Sequence, residues 1–309
     1  MKLVIGSRGS KLALAQTDFV KFLLGKKFPE LEFEVKVIKT TGDKIRDAPL
    51  AKIGGKGIFV KEIDEAVARG SVDFAVHSMK DVPTELREGL LLAAVPKRED
   101  PRDVLISRDG TALEELHEGA VIGTSSLRRR AEIMHYRGDL AVKELRGNVD
   151  TRLRKLRQGE YDGIVMAKAG LKRLGFEEII TQELPVDDFP PAVGQGAIAI
   201  VARSDYGNMD YLQAINHQES FQRIKAERAF LRRLGGGCQV PIGVYTRVED
   251  GLHLKAAVFS RDGKEKYEAE ARGEPEKAEE VGRRCAERLL KRGAGEILDD
   301  KVFIGGNFR

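Results

Sequence analysis

Two stretches of this chain, more than a hundred residues apart, repeat one local design, and that repeat limits the architectures open to it. Leu3-Val4-Ile5-Gly6-Ser7-Arg8-Gly9-Ser10 reads as a buried strand, a tight Gly/Ser turn and a helix start. Leu12, Ala15, Phe19, Phe22 and Leu23 then form the apolar face expected of the helix that follows. Val121-Ile122-Gly123-Thr124-Ser125-Ser126, running into Leu127-Arg128-Arg129-Arg130, is again strand, hydroxyl-rich turn and helix N-terminus. Each copy continues into a strand that closes near glycine, Glu34 to Gly42 in the first and Ala141 to Gly147 in the second. Each then reaches another apolar strand through Gly-x-x-Asp: Gly70 to Asp73 before Phe74-Ala75-Val76, and Gly159 to Asp162 before Gly163-Ile164-Val165. Such self-similarity predicts two like α/β lobes.

Breaks in the chain agree with that division. Pro96 to Pro101 and Asp187 to Pro191 are charged, proline-bounded linkers. Two crossings imply a hinge, and Ala197-Ile198-Ala199-Ile200-Val201 reads as a strand returned to the first lobe. Beyond about Glu219, a basic helix, the Gly235-Gly236-Gly237-Cys238 turn, two hairpin-like strands (Gly243 to Val248, Leu252 to Ser260) and a helix around Glu276 to Lys291 form a smaller α+β unit. A chain of 309 residues, 41% hydrophobic, can bury a sizeable core and is long enough for two or three domains. The expected domains are residues 1–96 with 197–216, residues 102–190, and residues 219–309.

Composition narrows the class further. The first residues lack the apolar region and cleavage site of a secretory signal, and no apolar run reaches membrane-spanning length, so a cytoplasmic protein without membrane contact is expected. Two cysteines are too few for a disulfide framework, and no Cys-x-x-Cys or His-x-x-x-His spacing offers a metal site, so no metal is expected. The net charge is only +4, but it is unevenly spread. Between Arg128 and Arg157 there are ten Lys or Arg (Arg128, Arg129, Arg130, Arg137, Lys143, Arg146, Arg152, Arg154, Lys155, Arg157) against four acids (Glu132, Asp139, Glu144, Asp150), an excess of six. A solvated helix face accounts for Arg154, Lys155 and Arg157. Guanidinium groups clustered at turns point instead to a ligand with several carboxylates or phosphates.

Helix N-termini are ready anion sites, because their free N–H groups and the helix dipole both favour negative charge. Capping alone would explain Ser10 or Ser126. Their coincidence with Arg8 in one lobe and with Arg128 and Arg129 in the other favours an anion-lined cleft. The lobes differ at one place: His77-Ser78-Met79-Lys80-Asp81-Val82-Pro83 carries an acid where Met166 to Gly170 carries none. Asp81 either pairs with Lys80 or an arginine, or balances a developing cation and exchanges a proton with a leaving amine. His77 reads as a satisfied core residue. Lys44 to Gly57, with Lys52 and Lys56 among its glycines, reads as a lid or a plain surface loop. Cys285, at helical spacing with Val281 and Leu289, reads as core filling. Cys238 follows three glycines, a turn that can bring a thiol close to a ligand, and Arg232 and Arg233 could favour its thiolate if they lie near; a purely structural Cys fits the same local pattern.

The segment Glu227 to Gly243, with Gly235-Gly236-Gly237-Cys238-Gln239-Val240-Pro241 at its centre, closely resembles the cofactor-attachment signature of the porphobilinogen deaminase (hydroxymethylbilane synthase) family. Gly54 to Glu62, His77 to Pro83, Gly123 to Arg129, Leu145 to Val149 and Pro191 to Gly196 extend the resemblance over nearly the whole chain. It implies three α/β domains, the first two built like type II periplasmic binding proteins around the active site. It implies a dipyrromethane cofactor, made from two substrate units and held as a thioether by Cys238, with Asp81 as the catalytic acid/base. Ser78, Lys80, Thr124, Ser126, Arg128, Arg129 and Arg146 would bind cofactor carboxylates; Arg8, Ser10, Arg152 and Arg173 would hold the incoming pyrrole or the growing chain; Lys52 and Lys56 would belong to the lid. The family joins four porphobilinogens, releases an ammonia from each and ends with water. Arg130, extending the arginine pair, is the main departure from the family's pattern.

Each porphobilinogen brings an acetate and a propionate, so chain growth accumulates carboxylates and explains more arginine than one small substrate needs. A two-lobed solute-binding protein would share the hinge and anion turns but has no use for a nucleophilic Cys on a glycine turn. A nucleic-acid binder would show a broader basic stripe with aromatic platforms, and Tyr136 is the only aromatic between Arg128 and Arg157. The resemblance implies porphobilinogen as the partner and a monomer, and no nucleic acid is expected.

Overall fold

A computed structural model of the chain describes residues 1–44, 57, 59–235 and 240–299. The first lobe runs β1 (Lys2–Ser7), α1 (Lys11–Lys27), β2 (Glu32–Val37), α2 (Thr41–Lys44), α3 (Lys61–Ala68), β3 (Phe74–Ser78) and β4 (Leu90–Ala94). The chain then crosses into β5 (Asp103–Ser107), β6 (Val121–Gly123), α4 (Leu127–Tyr136), β7 (Ala141–Lys143), α5 (Val149–Arg157), β8 (Gly163–Ala167), α6 (Lys168–Arg173) and β9 (Gln182–Glu183). It returns through β10 (Ile198–Arg203) and α7 (Met209–Gln213), and α8 (Gln218–Arg233) leads to β11 (Ile242–Glu249), β12 (Gly251–Phe259), β13 (Lys266–Gly273), α9 (Ala278–Leu289) and α10 (Gly295–Asp299).

The repeat read from the sequence is a repeat of topology. One sheet has the order β2-β1-β3-β10-β4 and the other β7-β6-β8-β5-β9. In each, the first three strands are parallel and the fourth is antiparallel to both of its neighbours. That fourth strand is the one the chain supplies after a crossing, β10 in the first sheet and β5 in the second. Both are buried along their apolar residues, with only the terminal Arg203 of β10 partly exposed, as an apolar strand covered on two faces must be. The third sheet, β11-β12-β13, is wholly antiparallel. Its core, with Phe230 of α8 and Val281, Cys285 and Leu289 of α9, is a separate apolar cluster. The fold class is thus α/β, two similar lobes with two crossings and a small α+β unit.

The crossings pass side by side. Glu99 N–H donates to the Gly196 carbonyl at 3.2 Å. Gly196 sits at φ +85°, where a Cβ would strike the Glu99 carbonyl, so only glycine lets the two chains approach this closely. The third unit is fastened there by a buried cluster: Arg98 Nη1 meets Glu227 Oε1 at 2.5 Å, and the Gly194 N–H donates to Glu227 Oε2 at 2.7 Å.

Several local readings differ. Helix α1 buries Ala13, Gln16, Thr17, Val20 and Leu24, whereas Phe19 and Phe22 are exposed. Leu12 faces the other lobe, 3.6 Å from where a Cβ on Gly170 would lie. The small residues Ala13 and Thr17 let α1 lie close to its sheet, and that packing overrides the larger apolar set. Strands β2 and β7 stop at Val37 and Lys143, well before the glycines. Strand β13 was not anticipated, and α9 begins at Ala278 after a short turn from Pro275 to Lys277. Among the described residues no helix is long and apolar enough to cross a membrane.

Candidate active site

A cleft of about 200 Å³ opens between the lobes at the carboxyl ends of their parallel strands, the usual place for a ligand in an open α/β sheet. Lobe 1 contributes Arg8, Ser10, Gln16, Ser78 and Lys80, lobe 2 contributes Arg129, Arg152 and Arg173, and Gly194 to Ala197 of the second crossing form its floor. The lobes also touch across the rim, where Lys11 Nζ meets Asp150 Oδ2 at 3.1 Å.

Both turns are built as the sequence suggested. Ser10 and Ser126 are N-caps whose hydroxyls accept from the N–H groups of Ala13 and Arg129, at 3.2 and 3.4 Å. Accepting leaves each hydroxyl a proton to donate, but only Ser10 lines the cleft. Arg8 is partly compensated: its guanidinium pairs with Asp43 at 2.5 Å and lies over the Phe59 ring, 4.3 Å from its centroid.

Arg128 and Arg129 begin α4 and turn inward onto one carboxylate. Asp103, the first residue of β5, accepts from Arg128 Nη2 at 2.7 Å, Arg129 Nη2 at 2.6 Å and the Gln195 amide at 2.8 Å. Burial alone would raise the Asp103 carboxyl, but the two guanidinium groups outweigh it and hold it well below the ordinary carboxylate range. Arg128 also donates to Glu132 and to the Pro190 carbonyl, at 2.7 and 2.9 Å, and does not line the cleft. Arg129 donates to the Val165 carbonyl at 2.9 Å and does line it. The buried Nε atoms of both arginines have no partner among the described residues.

Elsewhere in the cleft, positive charge is left over. Burial and then the neighbouring Arg129 push Lys80 down to about 8, against the pull of Asp81 and Asp103. Burial and Arg129 bring Arg152 down to about 10, and burial brings Arg173 to about 10 despite Glu99. Arg152 Nε donates to the Gly147 carbonyl at 2.8 Å, and Arg173 Nη2 to the Gly196 carbonyl at 2.6 Å. Asp150, the one acid lining the cleft among the described residues, is the acid already paired with Lys11. Cations depressed in this way are what a ligand bearing several carboxylates would relieve. A dipyrromethane with its acetate and propionate arms fits that demand.

Asp81 ends a single turn, Met79–Asp81, after β3. The turn is pinned by the Met79 N–H, which donates to the Ala197 carbonyl at 3.0 Å. Asp81 is half-buried, and among the described residues its carboxylate makes no hydrogen bond or ion pair. Its neighbours Ser78 and Lys80 line the cleft, whereas Asp81 itself is not among the lining residues. Pairing with Lys80 or an arginine, the ordinary fate of such an acid, is not what the structure shows. His77 is buried against Asp64 at 3.1 Å, a core pair. Cys285 is buried too, and burial pushes its thiol up to about 12.

Thr124 accepts from the Ser126 N–H at 3.2 Å, and Arg146 pairs with Glu144 at 2.7 Å; neither lines the cleft. Lys52, Lys56 and Cys238 lie outside the described residues. Three cleft-shaping residues escaped the sequence reading: Asp103, Gln195 and Gln16, whose amide exchanges hydrogen bonds with the Ser78 hydroxyl at 2.9 and 3.1 Å.

Comparison with known proteins places this geometry in context. A family model described as "Porphobilinogen deaminase, dipyromethane cofactor binding domain" matches residues 3–210, and one described as "Porphobilinogen deaminase, C-terminal domain" matches residues 221–291. A porphobilinogen deaminase of Syntrophomonas wolfei is 51% identical over 298 residues, covering 96% of this chain and 97% of that protein. One of Desulforudis audaxviator is 52% identical over 299 residues, with coverage of 96% and 97%. Among solved structures, an ancestral cationic amino acid solute binding protein aligns with a TM-score of 0.45 at 12% identity, covering 69% of this chain and 86% of that one.

Proposed function

Because the chain belongs to the porphobilinogen deaminase family, we propose that its interlobe cleft is where porphobilinogen is bound, deaminated and joined. The chain has porphobilinogen deaminase (hydroxymethylbilane synthase) activity and uses a dipyrromethane cofactor. The observation that carries the assignment of the cleft is its surplus of cations, Lys80, Arg129, Arg152 and Arg173, with no free acid among the described lining residues. When bound, the cofactor supplies the pyrrole end onto which further units are joined.

The residues divide the work. Arg129, Ser78 and Lys80 hold the cofactor's carboxylates. Thr124, Ser126, Arg128 and Arg146 carry the same assignment on the family resemblance; Thr124, Ser126 and Arg128 also build the turn behind Arg129. Arg8, Ser10, Arg152 and Arg173 hold the acetate and propionate of the incoming pyrrole. Asp81, half-buried, balances the cation that develops as the amine departs and exchanges a proton with that amine at its Oδ atoms. On the family resemblance, Cys238 anchors the cofactor as a thioether and Lys52 and Lys56 belong to the lid. The three sheets support domains of residues 1–96 with 197–216, residues 102–190, and residues 219–309. We assign the working form to a cytoplasmic monomer, since a thiol free to take the cofactor needs a reducing compartment.

The test is direct. Purified protein supplied with porphobilinogen should consume it with release of ammonia, and acid treatment with an Ehrlich-type reagent should colour the protein itself. Absence of both would overturn the assignment.

A further inference from the structure

The cleft explains Arg129, Arg152 and Arg173 but not the buried arginine of α8. Arg228 is only 8% exposed. Its guanidinium donates to three consecutive main-chain carbonyls, Val82 at 3.3 Å, Pro83 at 2.6 Å and Thr84 at 2.9 Å. Arg232, one turn on, adds a bond to the Thr84 carbonyl at 3.4 Å. Among the described residues Arg228 has no carboxylate partner, and burial, then Arg232, lowers it to about 10. Burying a cation against carbonyls alone is costly, so the arrangement calls for a use beyond packing.

What a guanidinium adds is geometry. Its planar fork of donors fixes several acceptors at once, which a flexible ammonium cannot do. The three carbonyls belong to the residues immediately after Asp81. On the other side the same turn is held by the second crossing, through Met79 N–H to the Ala197 carbonyl. The residue before Arg228 on α8, Glu227, grips both crossings through Arg98 and the Gly194 N–H. Helix α8 therefore clasps the hinge with one residue and the Asp81 turn with the next. It ends at Arg233, five positions before Cys238.

We propose that Arg228 is a positioning residue for the reaction, tying the Asp81 turn to the helix that leads to the cofactor anchor and so setting where the Asp81 carboxylate meets a chain held at Cys238. The inference rests on the assignment of Asp81 and Cys238 given above. Arg228 touches no reacting atom. It acts through the turn, and a shift of about 1 Å in a reacting group can cost on the order of a hundredfold in rate.

The test uses purified, cofactor-loaded Arg228→Met and Arg228→Lys, with Val281→Ala, on α9 in the apolar core of the third unit and with no part in the hydrogen bonds to the Asp81 turn, as a control for lost stability. Arg228→Met should keep its covalent cofactor by mass and hold KM within about twofold, while kcat falls roughly tenfold or more at a temperature where all variants are folded. Arg228→Lys, which keeps the charge but not the fork, should recover part of that loss, and Val281→Ala should keep its kcat. Wild-type kcat in Arg228→Met, or an equal loss in Val281→Ala at matched melting temperature, would overturn the proposal. If Arg228→Met does not accumulate, full kcat in Arg228→Lys overturns it and a reduced kcat at unchanged KM supports it. Full activity in Asp81→Asn would remove the underlying assignment and the proposal with it, whereas active Arg228→Met beside inactive Asp81→Asn defeats the proposal alone.

Discussion

Asp103 holds Arg129 at 2.6 Å through one oxygen while its other oxygen takes Arg128 at 2.7 Å. The guanidinium that faces the cleft is thus aimed by a carboxylate in the adjacent sheet. Removing one partner from a buried ion pair leaves the other charge uncompensated. Asp103→Asn should therefore destabilise the protein by about 3–5 kcal/mol. It should also loosen Arg129, so that cofactor-free protein accumulates. Denaturant unfolding and intact mass read the two effects, and a fully loaded variant of wild-type stability would refute the role.

Asp81→Asn keeps the shape of the side chain but loses its charge and its exchangeable proton. The fold and the cofactor should survive, because among the described residues Asp81 pairs with nothing. Turnover should fall by roughly 10²–10⁴. Steady-state kinetics on material shown by mass to be loaded is the measurement, and near-normal kcat there would sink the assignment.

How much of this was legible in the sequence depended on the reach of each interaction. The capping serines, the crossings and the core roles of His77 and Cys285 are local, and spacing within a turn or two of backbone exposes them. Asp103 was invisible because its partners lie at positions 128 and 129, on a helix reached only through the sheet. An acid opening an apolar strand was the available hint, since a carboxylate so placed must find a cation. Gln16 carried a similar signal, a polar side chain at helical spacing from Ala13 and Val20 on the buried face of α1. That face was assigned to Phe19 and Phe22 because size was weighed above the closeness that Ala13 and Thr17 permit. The clamp of Arg228 on three carbonyls has no sequence signal, as main-chain acceptors carry no residue identity.

Lys80 gives a prediction in pH. Without cofactor its value in the fold, about 8, lies below the ordinary lysine value of 10.5. Between those values the unfolded chain binds more protons than the folded one, so this group makes the cofactor-free protein more stable as pH rises through the window. Carboxylates of a bound cofactor favour the ammonium form, return the value upward and abolish that gain. The stability gap between loaded wild type and cofactor-free Cys238→Ala should therefore narrow from pH 8 toward 10. Denaturation midpoints across that range measure it. Lys80→Met, made in both backgrounds, should leave a gap that no longer changes with pH. A gap in the Lys80 proteins that stays constant or widens would show that Lys80 does not face the carboxylates.

The assignment of Cys238 joins the thiol to the charge of the cleft. If the product grows on a cofactor fixed there, the purified protein should be heavier than its sequence by one dipyrromethane, and the added mass should map to the peptide containing Gly237-Cys238-Gln239. Cys238→Ala should lack it, while Cys285, buried with its thiol pushed up to about 12, should stay unmodified in both proteins. On brief exposure to limiting porphobilinogen, the loaded protein should separate on an anion-exchange column into successive species, because each unit brings two carboxylates and none is released before the chain is complete. The cations of the cleft work against this separation: Arg129, Arg152 and Arg173 neutralise part of each increment, so the steps in retention should be smaller than two free charges would give. Mass therefore counts the units, and elution reports how many carboxylates the arginines have left uncovered. In Arg152→Leu every species should be retained longer, since each lacks the same cation, and the ladder should form more slowly, since Arg152 holds the incoming pyrrole. Active enzyme with an unmodified Cys238, or intermediates found only free in solution throughout turnover, would remove the covalent anchor and with it the role of the thiol that follows three glycines.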